Sequence, residues 1–440
     1  MIRSTEEADA MTKTNRPVFF RVLSALLCLL LVLTGCGRLV SPAPAPAQEV
    51  SPAVSAEPEP ESVPALPPEP TPEPEPVYDL NFSISGQPLS ADMTAIDLSL
   101  AGSDEVDRLI SVLPALPNLT SIELGSAAAE SPAISWDQVY ALRSGAPQAE
   151  INYHFTVQGY AFSLSDEILN LNHIPFSDDG ILAWKIANCM PNLRILDMDS
   201  CNVSNQNMAA IRDGLPGVEV VWRVWFGIDY SVRTNVDRIV ASNPDRGGHL
   251  IGDATEGLNY CTKVKYLDLG HNDLMSDISF IANMPDLEVL IISMCGVKDI
   301  SALANCPKLN YLEFFTCGAA DLSPLSGLTQ LRDLNLCDDF ALCDIRPLYN
   351  LDLDRLWLGR FDPVPKEQIN EFKRLHPNCI VNTTTEDPVL EEWRHYDAYY
   401  PVVNIERYTQ LRQEFQYDNF PACYAYTAND PKVWGRFEYY

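Results

Sequence analysis

Hydrophobic and polar positions follow a repeating pattern in the second half of the chain. Five segments with the spacing L-x-x-L-x-L start 22 or 23 residues apart, at Val264, Leu287, Leu309, Leu331 and Leu353. The Leu-x-Leu part of each segment has the period of two that is typical of a β-strand. One such unit cannot bury its apolar face alone, so we expect successive units to stack with parallel strands and a shared leucine core.

The preceding region shows the same strand pattern at wider intervals. Strands are predicted to start at three positions: Met93, Leu119 and Leu193. Helices are predicted in three segments: 103–113, 135–145 and 177–189. Two segments that alternate apolar and polar residues around a glycine predict hairpins: 150–171 and 219–240. Ser103 or Asp104 is the predicted N-cap of the first helix, and Ser135 with Gln138 has capping-box spacing for the second.

The regular units approximate L-x-x-L-x-L-x-x-N/C-x-L. This motif resembles the leucine-rich repeat family, particularly the short repeats of internalin-like bacterial surface proteins. The resemblance implies an α/β solenoid with a curved parallel sheet and with helices or 3-10 turns on the convex side. It also implies that Asn272, Cys295 and Cys317 lie inside the turn, where Asn bonds free backbone groups. We interpret the two cysteines as buried thiols; a Cys295–Cys317 bond is the alternative, since adjacent rungs lie about 5 Å apart.

The N-terminal region has the pattern of an export signal. Basic residues precede an apolar run from Val22 to Leu33, which is shorter than the roughly 20 residues that span a bilayer. Leu33-Thr34-Gly35-Cys36 resembles the lipobox of bacterial lipoproteins, which implies that Cys36 is acylated and anchors the chain. The following Pro- and Glu-rich stretch, 41–76, predicts a disordered, extended spacer that reaches on the order of 100 Å.

Composition restricts the function further. The formal net charge of −30 argues against nucleic acid as a partner, because phosphate binding requires basic patches. The chain contains no catalytic motif, no Cys-x-x-Cys and no cluster of histidines, so we expect neither an enzyme, nor a metal site, nor a cofactor. The acidic pairs Asp178-Asp179 and Asp338-Asp339 are interpreted as solvated turns.

Candidate binding residues lie beside the leucines of the regular strands. These side chains should point away from the core, onto the concave face of the solenoid, and many are apolar or aromatic. Tyr, Trp and Arg are enriched at binding hot spots. We therefore predict a partner site formed by nine residues: Tyr266, Val289, Ile291, Met294, Tyr311, Phe315, Arg355, Trp357 and Arg360. The alternative is that the aromatic C-terminal segment folds back over this face.

These patterns divide the chain into five parts: a lipoprotein signal peptide (1–35), the acylated Cys36 with a disordered linker (36–77), irregular repeats with hairpin insertions (78–263), regular repeats (264–363), and a closing helix with an aromatic C-terminal cap (364–440). The resulting hypothesis is a monomeric, lipid-anchored surface protein of a Gram-positive bacterium. It would stand on the extracellular side of the cytoplasmic membrane, reach into or through the cell wall, and bind an unidentified surface or host protein. The alternative is a protein that binds cell-wall glycan or peptidoglycan through its aromatic C-terminal segment.

Overall fold

A computed structural model describes residues 76–227, 230–242, 250, 252–385, 393–394, 406–415, 417 and 426–427. Several sequence predictions therefore lie outside the described residues. They concern the signal peptide, Cys36, nearly all of the linker and much of the aromatic C-terminal segment. The fold described below belongs to the compact unit Val77–Tyr440.

The first part of this unit contains short strands separated by helices. Its strands are β1 (Ser83–Ile84), β2 (Gln87–Pro88), β3 (Ala95–Asp97), β4 (Ser121–Ala128), β5 (Glu150–Val157), β6 (Tyr160–Ser163), β7 (Ile168–Asn170), β8 (Ile195–Asp197), β9 (Glu219–Val221), β10 (Arg223–Phe226) and β11 (Tyr230–Arg233). Its helices are α1 (Ser103–Val112), α2 (Trp136–Gly145), α3 (Ile181–Cys189) and α4 (Asn205–Asp213), with a 3-10 turn at Leu113–Ala115. The predicted strands and helices are confirmed, with small differences at their ends.

The strands of this part form separate sheets. Strands β3, β4 and β5 are parallel neighbours, and β6 returns antiparallel to β5 as the first predicted hairpin. Strands β7, β8 and β9 form a second parallel sheet. The second predicted hairpin is β10–β11, and it pairs with a short strand near the end of the chain.

Side chains at the helix starts explain where the helices begin. Ser135 and Gln138 form the predicted capping box, in which the Gln138 backbone N–H donates to Ser135 Oγ at 3.2 Å and Gln138 Oε1 accepts the Ser135 N–H at 3.0 Å. Helix α1 instead has Gly102 as its N-cap, so the prediction of Ser103 or Asp104 is wrong by one or two residues. The reason is Glu105, whose carboxylate accepts the Gly102 N–H at 3.0 Å. Asp178 likewise accepts the Leu182 N–H at 2.7 Å and helps to start α3.

The regular array forms one seven-stranded parallel sheet. Its strands are β12 (Arg238–Val240), β13 (Tyr266–Asp268), β14 (Val289–Ile291), β15 (Tyr311–Glu313), β16 (Asp333–Asn335), β17 (Arg355–Gly359) and β18 (Ile380–Thr385). Between them run 3-10 turns at Gly252–Tyr260, Ser279–Asn283, Ser301–Asn305, Ser323–Leu325 and Arg346–Leu348. The repeat leucines are fully buried in the core: Leu267, Leu290, Leu312, Leu334 and Leu356. The sheet thus has one more strand at each end than the five regular units.

The C-terminal end of the sheet is closed by elements of its own. Helix α5 (Lys366–Leu375) is the predicted closing helix, and its Phe372 is fully buried and packs against Tyr349, the residue that follows the last 3-10 turn. Strand β18 follows and pairs in parallel with β17. After β18 the described elements are α6 (Glu406–Phe415) and β19 (Tyr426–Thr427), which pairs with β11.

A ladder of side chains runs inside the turns that follow the strands. Asn272 Nδ2 donates to the Ala241 carbonyl at 3.0 Å, and the thiols of Cys295 and Cys317 donate to main-chain carbonyls of the preceding rung at 3.4 and 3.1 Å. All nine cysteines among the described residues are free thiols; Cys295 is buried and Cys317 is partly buried, so the structure shows two thiols and no Cys295–Cys317 bond.

The next rung places Asp339 in the same ladder position. Its side chain is only 1% exposed, so the interpretation of Asp339 as part of a solvated turn is wrong. Its Oδ1 accepts the Ala341 N–H at 3.2 Å, whereas its Oδ2 is buried without a hydrogen-bond partner among the described residues. Burial raises the pKa of Asp339 to about 6.

In four rungs of the regular array, one residue of the turn that follows the strand adopts a left-handed backbone conformation. His271, Met294, Thr316 and Asp338 occupy equivalent positions in four rungs, with φ between 57° and 62°. Few residues other than glycine adopt this conformation, and a β-branched residue such as threonine is particularly unfavourable there. The turn geometry of the array therefore imposes local strain at Thr316.

Candidate functional site

The strands of the regular array present two rows of side chains opposite the leucine core, on the concave face. One row contains Tyr266, Val289, Tyr311, Asp333 and Arg355, and the other contains Asp268, Ile291, Glu313, Asn335 and Trp357. The apolar members form a cluster distinct from the main core. The predicted facing of these residues is therefore confirmed by the strand register.

The concave face is covered by three described parts of the C-terminal region: Trp393 with Arg394, helix α6, and Tyr417. We call these residues the C-terminal cover. Trp393, Leu411 and Phe415 pack in the same cluster as Val289, Ile291, Tyr311, Phe315 and Trp357. The alternative considered from the sequence, an intramolecular cover, is thus what the structure shows.

The cover determines which of the nine predicted partner-binding residues remain accessible. Six of them are buried beneath it or beside it: Val289, Ile291, Tyr311, Phe315, Arg355 and Trp357. Tyr266 is partly buried, Met294 is 40% exposed, and Arg360 is exposed. Among the nine, Met294 and Arg360 are therefore the exposed residues in the described part of the chain. That these nine residues bind a partner remains a prediction.

Glu313 is the central polar contact beneath the cover. Its side chain is fully buried, and Trp393 Nε1 and Arg394 Nε both donate to its Oε1, at 2.9 and 2.7 Å. The Arg394 Nη2 group also donates to Oε2, and the Tyr311 hydroxyl donates to Oε1. Although burial by itself lowers the pKa of Arg394, pairing with Glu313 outweighs it and holds that pKa well above its ordinary value. The fully buried carboxylate and the partly buried guanidinium therefore form a two-point ion pair.

Trp393 occupies a cage of aromatic and guanidinium groups. Its ring centroid lies 5.5 Å from that of Tyr311 and 5.2 Å from that of Trp357. The Arg355 guanidinium stands 4.2 Å from the same ring, and Arg355 Nη1 donates to the Trp393 carbonyl at 3.2 Å. Arg355 is held in turn by Asp333, which accepts from its Nε at 2.5 Å. The cage contacts the Trp393 ring through Tyr311, Trp357 and Arg355, and Arg355 also binds the Trp393 backbone.

Helix α6 contributes a second set of anchors. Leu411 and Phe415 are buried, and the Phe415 ring contacts Tyr266 with 6.1 Å between centroids. Arg407 Nη2 donates to Asn310 at 2.9 Å, and its guanidinium lies 5.2 Å from the Tyr311 ring. The helix thus presents an apolar pair spaced by four residues and a cation toward the face.

Tyr417 completes the cover at the other end of the array. Its hydroxyl donates to Asp268 Oδ2 at 2.5 Å, and its ring stacks on Phe415 with 5.1 Å between centroids. Burial raises the pKa of Asp268, an effect that the hydrogen bond from Tyr417 partly offsets. Each of three acidic residues on the strands, Asp268, Glu313 and Asp333, therefore has a partner in the cover or beside it.

The irregular part of the array repeats this arrangement on a smaller scale. Asp199, just after β8, receives two hydrogen bonds from Arg223 of the β10–β11 hairpin, at 3.1 and 2.9 Å. Asp197 pairs with Arg233 of the same hairpin and accepts from Asn172 at 3.0 Å. Acidic strand residues paired with arginines from an inserted segment thus recur along the chain.

A strand-end rim remains uncovered at the edge where the strands end. Within residues 264–363 the exposed large hydrophobic residues are Leu274, Met294, Phe340 and Phe361, and all four lie in turns that follow strands. The Arg360 guanidinium lies 5.6 Å from the Phe361 ring.

Sequence reasoning did not single out Arg394 or Arg407. The sequence nevertheless contained a signal for them. The chain is strongly acidic and its predicted strands carry outward-facing carboxylates, so the few arginines of the C-terminal segment were candidates to pair with those carboxylates. Trp393, Phe415 and Tyr417 pack in the cover, which argues against sugar stacking by these rings in this arrangement. Tyr396, Tyr399, Tyr400, Tyr424 and Trp434, which belong to the same aromatic segment, lie outside the described residues.

Among the described residues, no group of three His, Cys, Asp or Glu side chains is placed to hold a metal ion. None of the described helices is long and apolar enough to cross a membrane.

No family model matches the chain, and the comparison with curated proteins gives no match. Among solved structures, it is similar to an internalin (inlF) from Listeria monocytogenes, with 19% identity, a TM-score of 0.30, and coverage of 63% of this chain and 66% of that one. An internalin C2 from the same species has 18% identity, a TM-score of 0.28, and coverage of 52% and 88%. A leucine-rich repeat protein from Leptospira interrogans has 12% identity, a TM-score of 0.29, and coverage of 70% and 95%.

These likenesses concern the fold alone. The repeat geometry itself carries the assignment: parallel strands in register at intervals of one repeat, a leucine from each strand in a common core, and 3-10 turns on the opposite side. The chain therefore has the fold of an α/β leucine-rich repeat solenoid.

Proposed function

We propose that this chain is a lipid-anchored surface protein that binds another protein on the concave side of its repeat array. The supporting observation is that this face already binds a polypeptide, namely the C-terminal cover of the same chain. It does so through buried aromatic and arginine contacts of the kind that dominate protein interfaces. The anchor, Cys36, and the extracellular location follow from the sequence pattern alone.

The strand-end rim gives the partner a first point of contact. Its exposed residues Leu274, Met294, Phe340 and Phe361 lie in the turns that follow the strands of the covered face, and we expect a partner to contact them first. No catalytic role is proposed, because the polar groups of the face are paired with one another rather than gathered around a cavity.

Site-specific photocrosslinking on intact cells tests this function. A photoreactive amino acid is placed at Met294 on the rim, and for comparison at Tyr140, which is 51% exposed on helix α2. We expect a discrete crosslinked protein from position 294 and none from position 140. Equal crosslinking from both positions, or from neither, would contradict a partner site on the concave side.

A further inference from the structure

We propose that the concave face is a recognition site for a segment in which Trp-Arg precedes an amphipathic aromatic helix, and that the C-terminal cover is its exchangeable internal occupant. This inference rests on the proposed function and specifies the partner, which would be a protein that presents a segment of the same chemistry.

Closing the end of the solenoid does not explain the cover. An open end of a repeat array exposes core leucines and requires a cap. Here α5 and β18 already fulfil that role, since Phe372 of α5 is fully buried and β18 extends the sheet beyond β17. The cover lies instead across the face of the strands, where a solenoid of this kind has no core to close.

The chemistry of the contact is that of recognition. Burying an ion pair carries a desolvation penalty, so apolar residues would cover a face at least as stably. The face nevertheless pairs Glu313 with Arg394, and the Asp268 carboxylate accepts a hydrogen bond from the Tyr417 hydroxyl. Buried carboxylates paired in this way select a partner and fix its orientation.

The face also defines what an occupant must contain. An indole fits between Tyr311, Trp357 and Arg355, and the next residue must reach Glu313 with two donors. Arg394 does this through Nε and Nη2, a fork that lysine cannot reproduce. The helix that follows must place apolar side chains four residues apart, as Leu411 and Phe415 do.

Exchange is favoured over simple opening of the face. Removal of the cover would expose five clustered residues at once: Val289, Ile291, Tyr311, Phe315 and Trp357. An apolar patch of this kind is unfavourable in water unless another segment covers it. A partner segment that binds the same anchors would therefore replace the cover, starting from the neighbouring rim.

The experiment measures exchange in the full chain. A protease site is inserted between Thr385 and Trp393, the folded protein is cleaved, and a fluorescent peptide of this chain's residues 391–417 is added. We expect its anisotropy to rise as it replaces the cleaved segment. The R394K peptide should bind at least tenfold more weakly, whereas Q410A, at an exposed position of α6, should bind within twofold of the parent. A cleaved segment that remains bound without exchange, or equal binding of R394K, would overturn the proposal.

Hydrogen–deuterium exchange on the intact wild-type chain provides a test that requires no inserted site. If the cover is exchangeable, the amides of α6 should exchange through a local opening, well before those of β14 to β16. Protection of α6 equal to that of these strands would show a fixed part of the fold and refute the inference.

The two proposals can fail separately. A partner crosslinked from position 294 that the peptide does not displace would retain protein binding and overturn this recognition chemistry. Peptide exchange without any crosslinked partner would support the recognition site and contradict the proposed function.

Discussion

Replacing Asp339 by asparagine should stabilise the fold at neutral pH. In the turn ladder, Asn272, Cys295 and Cys317 each direct a donor at a carbonyl of the preceding rung. An ionised aspartate has no donor to offer in this position. Burial raises the pKa of Asp339 to about 6 from 3.8, although backbone N–H groups of Ala341, Gly318 and Ala319 partly offset the rise. Asparagine supplies the donor without a charge.

The sign of the effect follows from the two protonation states. The unfolded chain loses the Asp339 proton near pH 3.8 and the folded chain near pH 6, so the free energy of unfolding falls as pH rises through this window. A difference of about 2 pKa units corresponds to about 3 kcal/mol, since one unit is about 1.4 kcal/mol. D339N should therefore match the wild type near pH 4 and exceed it by up to about 3 kcal/mol at pH 7.5.

Urea unfolding of both proteins at pH 4, 5, 6 and 7.5 measures this difference. D299N is the matched control, because hydrogen bonds from the Ser301 backbone and side chain lower the pKa of the exposed Asp299. Its substitution should have the opposite sign and reduce stability as pH rises. The reasoning would be refuted if D339N were less stable than the wild type at pH 7.5, or if its advantage did not grow with pH.

Three further predictions concern the anchor, the turns and the thiols. C36S should release the protein from membranes into the medium, measured by cell fractionation; a membrane-bound variant would refute the lipid anchor. T316N should raise the free energy of unfolding by about 1 kcal/mol, because asparagine tolerates the left-handed backbone better than threonine, whereas T329N should change it little. Reductant should leave the melting temperature nearly unchanged, since the described cysteines are free thiols; a large decrease would reveal a bridge.

The repeats could be predicted from the sequence because their contacts are periodic. Each Leu-x-Leu strand pairs with the equivalent strand one repeat away. A local pattern of three residues therefore determines how neighbouring strands align, which side chains point outward and which leucines form the core. The capping box of α2 was predictable for the same reason, since Ser135 and Gln138 lie within one turn of helix. The N-cap of α1 was missed because Glu105 competes for a backbone group outside the predicted start.

The cover could not be predicted in the same way. The contact between Trp393 and Glu313 joins residues 80 positions apart, and no periodicity links them. The sequence predicted an aromatic band on the strands and an aromatic C-terminal segment, but it left open whether these two surfaces bind each other or separate partners. Asp339 was misjudged because its pairing with Asp338 resembles a polar turn, whereas its place in the ladder is buried.

The pairing of β19 with β11 has a consequence for the order of folding. Solenoids can form from local contacts, one repeat upon the next, while the chain is still emerging. The chain after β18 instead makes long-range contacts: β19 joins Tyr426–Thr427 to Tyr230–Ser231, and Trp393 of the cover contacts Glu313. Such long-range closure is slow to form. The array can therefore assemble before the cover has been synthesised. Each new molecule would then pass through an interval in which its concave face is open, and a binding segment present at that moment would meet no competitor.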